Sequence, residues 1–233
     1  MTPLSLTVVT WNVHGFVGSD GRRDPERVIA VLAELDADVI ALQEVDAGPD
    51  ADAFATLGPS LGRQAIPGPT LSRAGGGYGN LLLCRRPVTR ATQIDVSQSG
   101  YEPRGAIDAW LDVAGSPVRL LATHLGLARR ERAHQAARLC DALDSGEQTA
   151  RLVVLLGDLN EWRRPLRSTA LAPLVTRFAA RSRAPTFPSR VPLLALDRVL
   201  VDRRVARLRS RVVGGARARR ASDHLPLWAH IEL

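Results

Sequence analysis

The sequence contains no lysine, so all 31 of its basic residues are arginine. It has two cysteines, Cys84 and Cys140, without the spacing of a metal site, and both are predicted to be buried and reduced. Aromatic residues make up only 4% of the chain, which leaves few rings for stacking on unpaired bases. No apolar run approaches the ~20 residues of a membrane span, and no signal peptide precedes the first predicted strand. We therefore expect a cytoplasmic protein without a transmembrane segment.

The chain is basic, with a net charge of +7 and a pI near 10.9, which favours an acidic partner such as nucleic acid. The absence of lysine and the many alanines indicate a GC-rich genome, which places arginine at ordinary surface positions. The cluster from Arg203 to Arg220 runs directly up to an Asp-His pair and is a candidate polyanion site. A solvated surface is the alternative interpretation of this cluster.

Predicted strands alternate with predicted helices over nearly the whole chain. The glycine-rich stretch 74–80 is predicted to be a flexible turn, because it leads into a strand rather than a helix. The chain shows no internal repeat, long linker or break in composition. This order predicts a single α/β domain, residues 1–233, with mixed sheets and outer helices. The predicted helices are 24–35, 50–62, 128–143 and 164–174, and the predicted strands are 4–13, 38–45, 79–86, 89–97, 105–113, 117–125, 151–160, 196–201, 205–213 and 227–233.

Polar residues stand at the ends of several of these strands, where α/β proteins collect functional groups. They are Asn12, Glu44, His124, Asp158, Asn160, Asp197, Asp223 and His224. Each alone has a structural interpretation, as a turn former, a helix cap or a satisfied interior histidine. Their joint occurrence at separate strand ends predicts one shared site.

The segments that carry these residues resemble the endonuclease/exonuclease/phosphatase family, which has the deoxyribonuclease-I-like fold. The resemblance covers nearly the whole chain, in the order TWNVHG, LQEV, YGNLLLCRRPV, RGA, THLG, GDLNEW, LDRVLV and SDHLPL. It implies a four-layer α/β sandwich with two central mixed β-sheets. It also implies a divalent metal at one end, usually Mg²⁺ with Mn²⁺ as a substitute. Members of the family cleave phosphoester bonds in nucleic acids, inositol phosphates and sphingomyelin.

The resemblance and the chemistry of phosphodiesters together predict the metal ligands. A catalyst must neutralise the anionic oxygens, deprotonate a water and ease the departure of the alkoxide. Glu44 is the predicted ligand, because Mg²⁺ prefers one or two carboxylates together with waters and substrate oxygens. Asn12 is its predicted neighbour, and Asp223 supplies a second acid near the metal.

The catalytic groups follow from the same pattern. Asp158 is predicted to orient and deprotonate the attacking water, and Asn160 to hold that water or a phosphate oxygen. His224 is predicted to face the phosphate in the transition state, with Asp197 holding its ring in one tautomer.

The remaining candidates contact the substrate. His124 and Arg104 match phosphate-clamping groups of the family pattern. Tyr101 and Trp162 are predicted to line the mouth of the site, and packing is the alternative role for each of them.

The sequence therefore predicts a metal-dependent phosphodiesterase without an obligate protein partner. Its substrate is a phospholipid, a nucleic acid or a small phosphodiester. The resemblance is strongest to small bacterial metal-dependent hydrolases, some of them encoded beside genes for cardiolipin synthesis, which favours a phospholipid-related substrate. A DNA or RNA nuclease is the first alternative, supported by the basic surface. A non-catalytic, arginine-rich nucleic-acid-binding module is the second.

Overall fold

Twelve strands form two six-stranded mixed sheets in the computed structural model, which describes residues 5–48, 52–73, 75–145, 149–163, 169–202 and 207–232. The first sheet contains β1 (Ser5–Asn12), β2 (Val39–Asp46), β3 (Gln64–Arg73), β4 (Gly76–Cys84), β11 (Arg207–Val212) and β12 (Leu227–Glu232). The second contains β5 (Val88–Asp95), β6 (Gly105–Val113), β7 (Ser116–His124), β8 (Leu152–Asp158), β9 (Ala180–Arg181) and β10 (Asp197–Val201). The strand orders are β11-β12-β1-β2-β4-β3 and β5-β6-β7-β8-β10-β9.

Helices cover the outer face of each sheet, so that the layers follow the order α/β/β/α. The first sheet carries α1 (Pro25–Ala33), α2 (Ala53–Ser60) and α5 (Ala216–Ala221), and the second carries α3 (Arg129–Ser145) and α4 (Ala172–Val175). A short 3-10 turn, His14–Phe16, follows β1. This architecture confirms the predicted four-layer α/β sandwich.

Alternating side chains of β1 show how the layers are held together. Leu6 and Val8 join the apolar core between the two sheets, whereas Val9 and Trp11 pack towards the helices on the outer face. Successive side chains of a strand point to opposite faces, so a strand with both faces covered is apolar almost throughout. Burial of both faces fixes the register of β1, because a shift by one residue would exchange its two sets of side chains.

One pair of neighbouring strands in each sheet is parallel, and the two pairs place the candidate site. In β1 and β2, Asn12 is opposite Gln43, and in β7 and β8, His124 is opposite Asp158. Each pair is connected through a helix, α1 or α3, because parallel strands need a crossover. Their carboxyl ends lie at the same end of the sandwich, where polar side chains of both sheets meet.

The hairpin of β3 and β4 corrects the prediction for the glycine-rich stretch. Gly76 to Asn80 belong to β4 rather than to a flexible turn. Gly79 lets β3 approach closely, since a Cβ there would lie 2.6 Å from the carbonyl oxygen of Gly68. Strand β3 was not predicted because it contains two prolines, which an edge strand tolerates.

One helix of the structure was not predicted, and one predicted helix has different bounds. Helix α5 was not predicted, because its sequence ARARRA lacks an apolar repeat of helical period. Residues 164–168 of the predicted helix 164–174 lie outside the described residues, and α4 covers its C-terminal part. No helix among the described residues is long and apolar enough to cross a membrane.

Candidate active site

A cavity of about 320 Å³ opens where the carboxyl ends of the two parallel strand pairs meet. It is lined by Asn12, Glu44, Arg104, His124, Leu127, Asp158, Asn160, Trp162, Phe187, Leu194, Leu196 and His224. Eight of the candidates predicted from sequence therefore line one cavity. They come from loops and strand ends of both sheets.

A bulge in β2 directs Glu44 into the cavity. The pairing of β2 with β4 shifts register between Leu42 and Val45, and Glu44 adopts a positive φ of 56°. Its carboxylate oxygen Oε1 accepts a hydrogen bond of 2.9 Å from Asn12 Nδ2. A non-glycine residue with positive φ is strained, and such strain is frequent at functional sites.

Asn12 holds two carboxylates together. Its Oδ1 accepts from the backbone N–H of His14 at 3.0 Å, which turns the amide nitrogen towards the cavity. That nitrogen donates to Glu44 and also to Asp158 Oδ2, at 3.1 Å. Asn12 therefore links an acid of the first sheet to an acid of the second without adding charge.

Asp158 ends β8 and is almost fully buried. Its Oδ1 accepts from the backbone N–H of Asn160 at 2.9 Å, in a tight turn where Asn160 has a positive φ of 50°. The side-chain nitrogen Nδ2 of Asn160 donates to the carbonyl of Leu125 at 2.8 Å. Burial raises the pKa of Asp158 above its ordinary value, and the nearby charge of Asp197 adds to the rise.

Asp197 and His224 form a buried pair beside Asp158. The Nδ1 of His224 lies 2.8 Å from Asp197 Oδ2, and the hydroxyl of Thr186 donates to the same oxygen at 2.5 Å. The other ring nitrogen, Nε2, points into the cavity and lies 3.7 Å from Asp158 Oδ2. The ring also packs against Phe187, with centroids 4.8 Å apart. One ring nitrogen is thus held by an acid and the other faces the cavity.

The charges around His224 decide its protonation. Burial lowers the pKa of this imidazole, but the carboxylates of Asp197 and Asp158 outweigh burial and raise the pKa to about 10. The ring is therefore an imidazolium at neutral pH. It can donate a proton or a charged hydrogen bond from Nε2.

His124 has the opposite character. Arg104 donates from its guanidinium to His124 Nδ1 at 2.9 Å, so this ring nitrogen accepts. Burial lowers the pKa of His124 well below its ordinary value, and the charges of Arg104 and His224 lower it further. The site therefore holds one neutral and one charged histidine.

The oxygen donors of the site suit a hard divalent cation. Glu44 is partly open to the cavity and shares Asn12 with Asp158, and carboxylates of this kind bind Mg²⁺. Asp158, Asp197 and His224 also lie close enough together to hold an ion. However, Asp197 is fully buried behind His224 and accepts from two groups, so we interpret it as a partner of the histidine. Glu44, whose carboxylate faces the cavity, could hold such an ion.

Three predicted residues lie at or beyond the edge of the cavity. Asp223 is half-exposed, accepts from Ser222 at 3.3 Å and lies 3.9 Å from His14, outside the cavity lining. Tyr101 is exposed and also lies outside the lining. Trp162 lines the mouth and stacks with Arg132 at 5.5 Å. The metal role of Asp223 stays a prediction.

Two residues near the catalytic candidates were missed from the sequence. Tyr78 on β4 interacts with Glu44, and burial together with the charge of Glu44 raises the pKa of its phenol. Thr186 holds Asp197 from a proline-rich connection. The YGN segment that contains Tyr78 was the available signal, whereas nothing in the sequence marks Thr186.

The arginine cluster near the C-terminus divides into two parts in the structure. Residues 203–206 lie outside the described residues. On α5, Arg217 pairs with Glu34 and Arg220 pairs with Asp20 at 3.1 Å. On the edge strand β11, Arg207 and Arg209 are exposed. The predicted binding of a polyanion by this cluster stays a prediction.

Comparisons with known proteins show the family of the chain. A model described as "Endonuclease/Exonuclease/phosphatase family" matches residues 9–224. The chain belongs to this family. It is also 31% identical over 251 residues to YbhP of Escherichia coli (strain K12), which covers 98% of this chain and 97% of YbhP. Membership of the endonuclease/exonuclease/phosphatase family supports a phosphoesterase- or nuclease-type hydrolase.

Solved structures show the same fold. An endonuclease/exonuclease/phosphatase from Beutenbergia cavernae has a TM-score of 0.79 and 22% identity, covering 99% of this chain and 72% of the other. One from Bacteroides vulgatus has a TM-score of 0.78 and 17% identity, covering 98% and 99%. Truncated TDP2 from Caenorhabditis elegans has a TM-score of 0.71 and 21% identity, covering 98% of each chain.

The raised pKa of His224 predicts how the stability of the metal-free protein depends on pH. The folded state binds the proton of this ring more tightly than the unfolded state does. Its stabilising contribution is therefore complete below the ordinary value of 6.5 and is lost as the pH rises through about 10. We expect the free energy of unfolding to fall over this range in urea titrations with EDTA. The free energy of unfolding of His224→Gln should fall less than that of the wild type. An equal fall in both proteins would contradict the raised pKa of His224.

Proposed function

We propose that the protein is a divalent-metal-dependent phosphodiesterase that acts in the cavity described above. The observation that supports it best is the meeting of Glu44, Asp158 and His224 within one cavity, with Asp197 behind the ring of His224. This arrangement offers a metal-ligating acid, a proton acceptor and a charged proton donor to a single phosphate.

Each residue has a defined part in the proposed reaction. Asp158 takes a proton from the attacking water, and its raised pKa makes it a stronger base than an exposed carboxylate. Asn160 holds the water, and the hydroxide attacks phosphorus as the ester P–O bond breaks. The departing alkoxide takes a proton from solvent and leaves as the alcohol. The imidazolium of His224 donates from Nε2 to a phosphoryl oxygen and neutralises charge that grows in the transition state.

Other groups position the substrate and the cation. Glu44 would hold Mg²⁺, Asn12 would orient the Glu44 carboxylate through its Nδ2, and Asp223 would supply a second acid from the edge of the cavity. When bound, the cation supplies Lewis-acid polarisation of a phosphoryl oxygen. Arg104 and His124 bind a non-bridging oxygen, and Trp162 and Tyr101 contact the substrate at the mouth.

The proposal is tested by turnover with different metals. We expect hydrolysis of bis(p-nitrophenyl) phosphate with Mg²⁺ or Mn²⁺, a decrease of at least about 10²-fold in EDTA, and recovery when metal is restored. Comparison with p-nitrophenyl phosphate separates diesterase from monoesterase activity. Parallel assays on plasmid DNA, RNA and phospholipids rank the substrate classes. A lack of turnover of every substrate with both metals would refute the proposed function.

A further inference from the structure

The large hydrophobic side chains that are exposed in the described part of the chain all lie on loops of the active site. They are Tyr101, Leu127, Trp162, Val191 and Leu193, with exposures of 40%, 69%, 47%, 62% and 72%. Single exposed apolar residues are common on protein surfaces, but a group at one place indicates an interaction site. We call these five residues the apolar rim.

Each loop of the apolar rim also contributes to the cavity wall. Leu127 and Trp162 line the cavity themselves. Val191 and Leu193 lie on the loop between Phe187 and Leu194, and both of those residues line the cavity. The loop that carries Tyr101 ends at Arg104, another lining residue. The rim is therefore continuous with the wall of the proposed active site.

The loop that carries Val191 and Leu193 is held firmly at its base. Phe187 and Leu194 form an isolated bridge, and the backbone N–H of Leu194 donates to the Phe187 carbonyl at 2.8 Å. Ser189 donates from its backbone to the Asp223 carbonyl at 2.6 Å. The fold thus fixes the loop but leaves Val191 and Leu193 in solvent, where they add nothing to the core.

The charges beside the apolar rim are almost all positive. Four exposed arginines lie on the same loops or directly after them: Arg129, Arg130, Arg163 and Arg190. The exposed acid of the Tyr101 loop, Glu102, pairs with Arg104 at 3.0 Å. Asp223 is also half-exposed beside the cavity, so the described surface around the mouth joins aliphatic and aromatic side chains to an excess of arginines over exposed acids.

This combination distinguishes a lipid surface from a nucleic acid. Leucine and valine neither stack on unpaired bases nor bind phosphates, so a protein that binds single-stranded nucleic acid does not use them. Aliphatic residues that enter the acyl region, tryptophan and tyrosine at the headgroups, and arginines on anionic lipids are the features of interfacial binding. We propose that the apolar rim docks the protein on an anionic phospholipid bilayer, with the cavity facing the headgroups.

The docking has a consequence for the substrate that rests on the proposed function. A cavity pressed against the headgroups meets the phosphodiester that links a lipid glycerol to its headgroup. The substrate class of the proposed phosphodiesterase is then a membrane phospholipid.

The test measures docking and catalysis separately on the whole protein. Co-sedimentation in EDTA uses vesicles of phosphatidylcholine with about 30% phosphatidylglycerol, and vesicles of phosphatidylcholine alone. We expect binding to the anionic vesicles, and a loss of about 10-fold or more in the partition coefficient for the double variant Val191→Ser, Leu193→Ser. Neither residue lines the cavity, so this variant should hydrolyse soluble bis(p-nitrophenyl) phosphate at the wild-type rate.

A matched pair of variants tests the contribution of charge. Arg129→Ser, Arg130→Ser removes two exposed arginines beside the rim, and Arg207→Ser, Arg209→Ser removes two from the edge strand β11. We expect the first to weaken vesicle binding several-fold and the second to change it by less than about 2-fold. Equal losses in both would mean that net charge alone drives binding, which would overturn the proposal.

The remaining outcomes are also decisive. Absence of vesicle binding, wild-type binding by the Val191→Ser, Leu193→Ser variant, or a larger effect of that variant on oligonucleotide binding would each refute docking through the rim. If docking depends on the rim but the protein hydrolyses no soluble diester, the proposed function fails and the interfacial docking stands. If soluble diester is hydrolysed without docking, only the docking fails.

Discussion

Asp158→Asn should lower kcat for bis(p-nitrophenyl) phosphate by about 10³-fold, with a small change in KM. The substitution keeps the size of the side chain but removes the carboxylate that accepts the proton of the attacking water. The backbone N–H of Asn160 retains an acceptor, because the asparagine oxygen can replace Asp158 Oδ1. The turn keeps its hydrogen bond, whereas the new amide nitrogen would face Asn12 Nδ2, which donates to Asp158 Oδ2 in the wild type, so circular dichroism of the variant separates a loss of chemistry from a loss of folding.

Asp112→Asn is the matched control for this variant. Asp112 is exposed near the end of β6, where its Oδ1 accepts from the backbone N–H of Gly115, in the turn to β7, at 2.7 Å. The same change of aspartate to asparagine there should leave kcat within about 2-fold of the wild type. If Asp158→Asn kept more than about a tenth of the wild-type kcat, Asp158 would not be the proton acceptor.

The second large effect concerns the buried pair of Asp197 and His224. His224→Ala and Asp197→Asn should each lower kcat by about 10²-fold or more, and the double variant should be little worse than the poorer single variant. The reason is that Asp197 acts through the ring of His224. The Oδ2 of Asp197 holds His224 Nδ1 at 2.8 Å. As a positioning residue, Asp197 should affect kcat and its dependence on pH more than KM.

His230→Ala provides the control for removal of a histidine. His230 lies on the outer face of β12, where it contacts Thr7 at 3.1 Å and stacks with Trp228. We expect the turnover of the His230→Ala variant to equal that of the wild type. Additive losses from His224→Ala and Asp197→Asn would mean that the two residues act independently, and circular dichroism of each variant identifies any loss of folding.

The sequence predicted the location of the site because the polar residues interrupt apolar strands. Asn12, His124 and Asp158 each follow a buried run, and strands of this kind end at the edge of a sheet. The meeting of two sheets was implied by the family resemblance and is confirmed by the fold. The local pattern alone does not show that Asn12 bridges Glu44 and Asp158 across the sheets.

Other features depend on contacts that a sequence does not reveal. Glu44 enters the cavity through a bulge and a positive φ, and neither has a marker such as glycine in β2. Thr186 is 11 residues from Asp197 and reaches it only through the fold. Asp223 is adjacent to His224 in sequence, yet it turns towards His14 because neighbouring residues of an extended loop point in different directions.

The apolar rim illustrates the same limit. Leu127 and Leu193 are of a residue type that is usually buried in the core, and residue type alone predicts their burial. Their exposure appears only when the loops that carry them are placed around the cavity. An apolar residue on a site loop is therefore informative after its accessibility is known.

The most direct test of the central claim is the turnover of bis(p-nitrophenyl) phosphate as a function of free Mg²⁺, in wild type, Glu44→Gln and the exposed control Glu26→Gln. Glutamine keeps an oxygen for Asn12 Nδ2 but removes the charge that would bind the cation. We predict that wild type and Glu26→Gln reach half-maximal turnover at the same Mg²⁺ concentration, whereas Glu44→Gln needs at least about 10-fold more and remains folded. A Glu44→Gln protein with the wild-type Mg²⁺ dependence, or full wild-type turnover in EDTA, would contradict metal-dependent hydrolysis at this site.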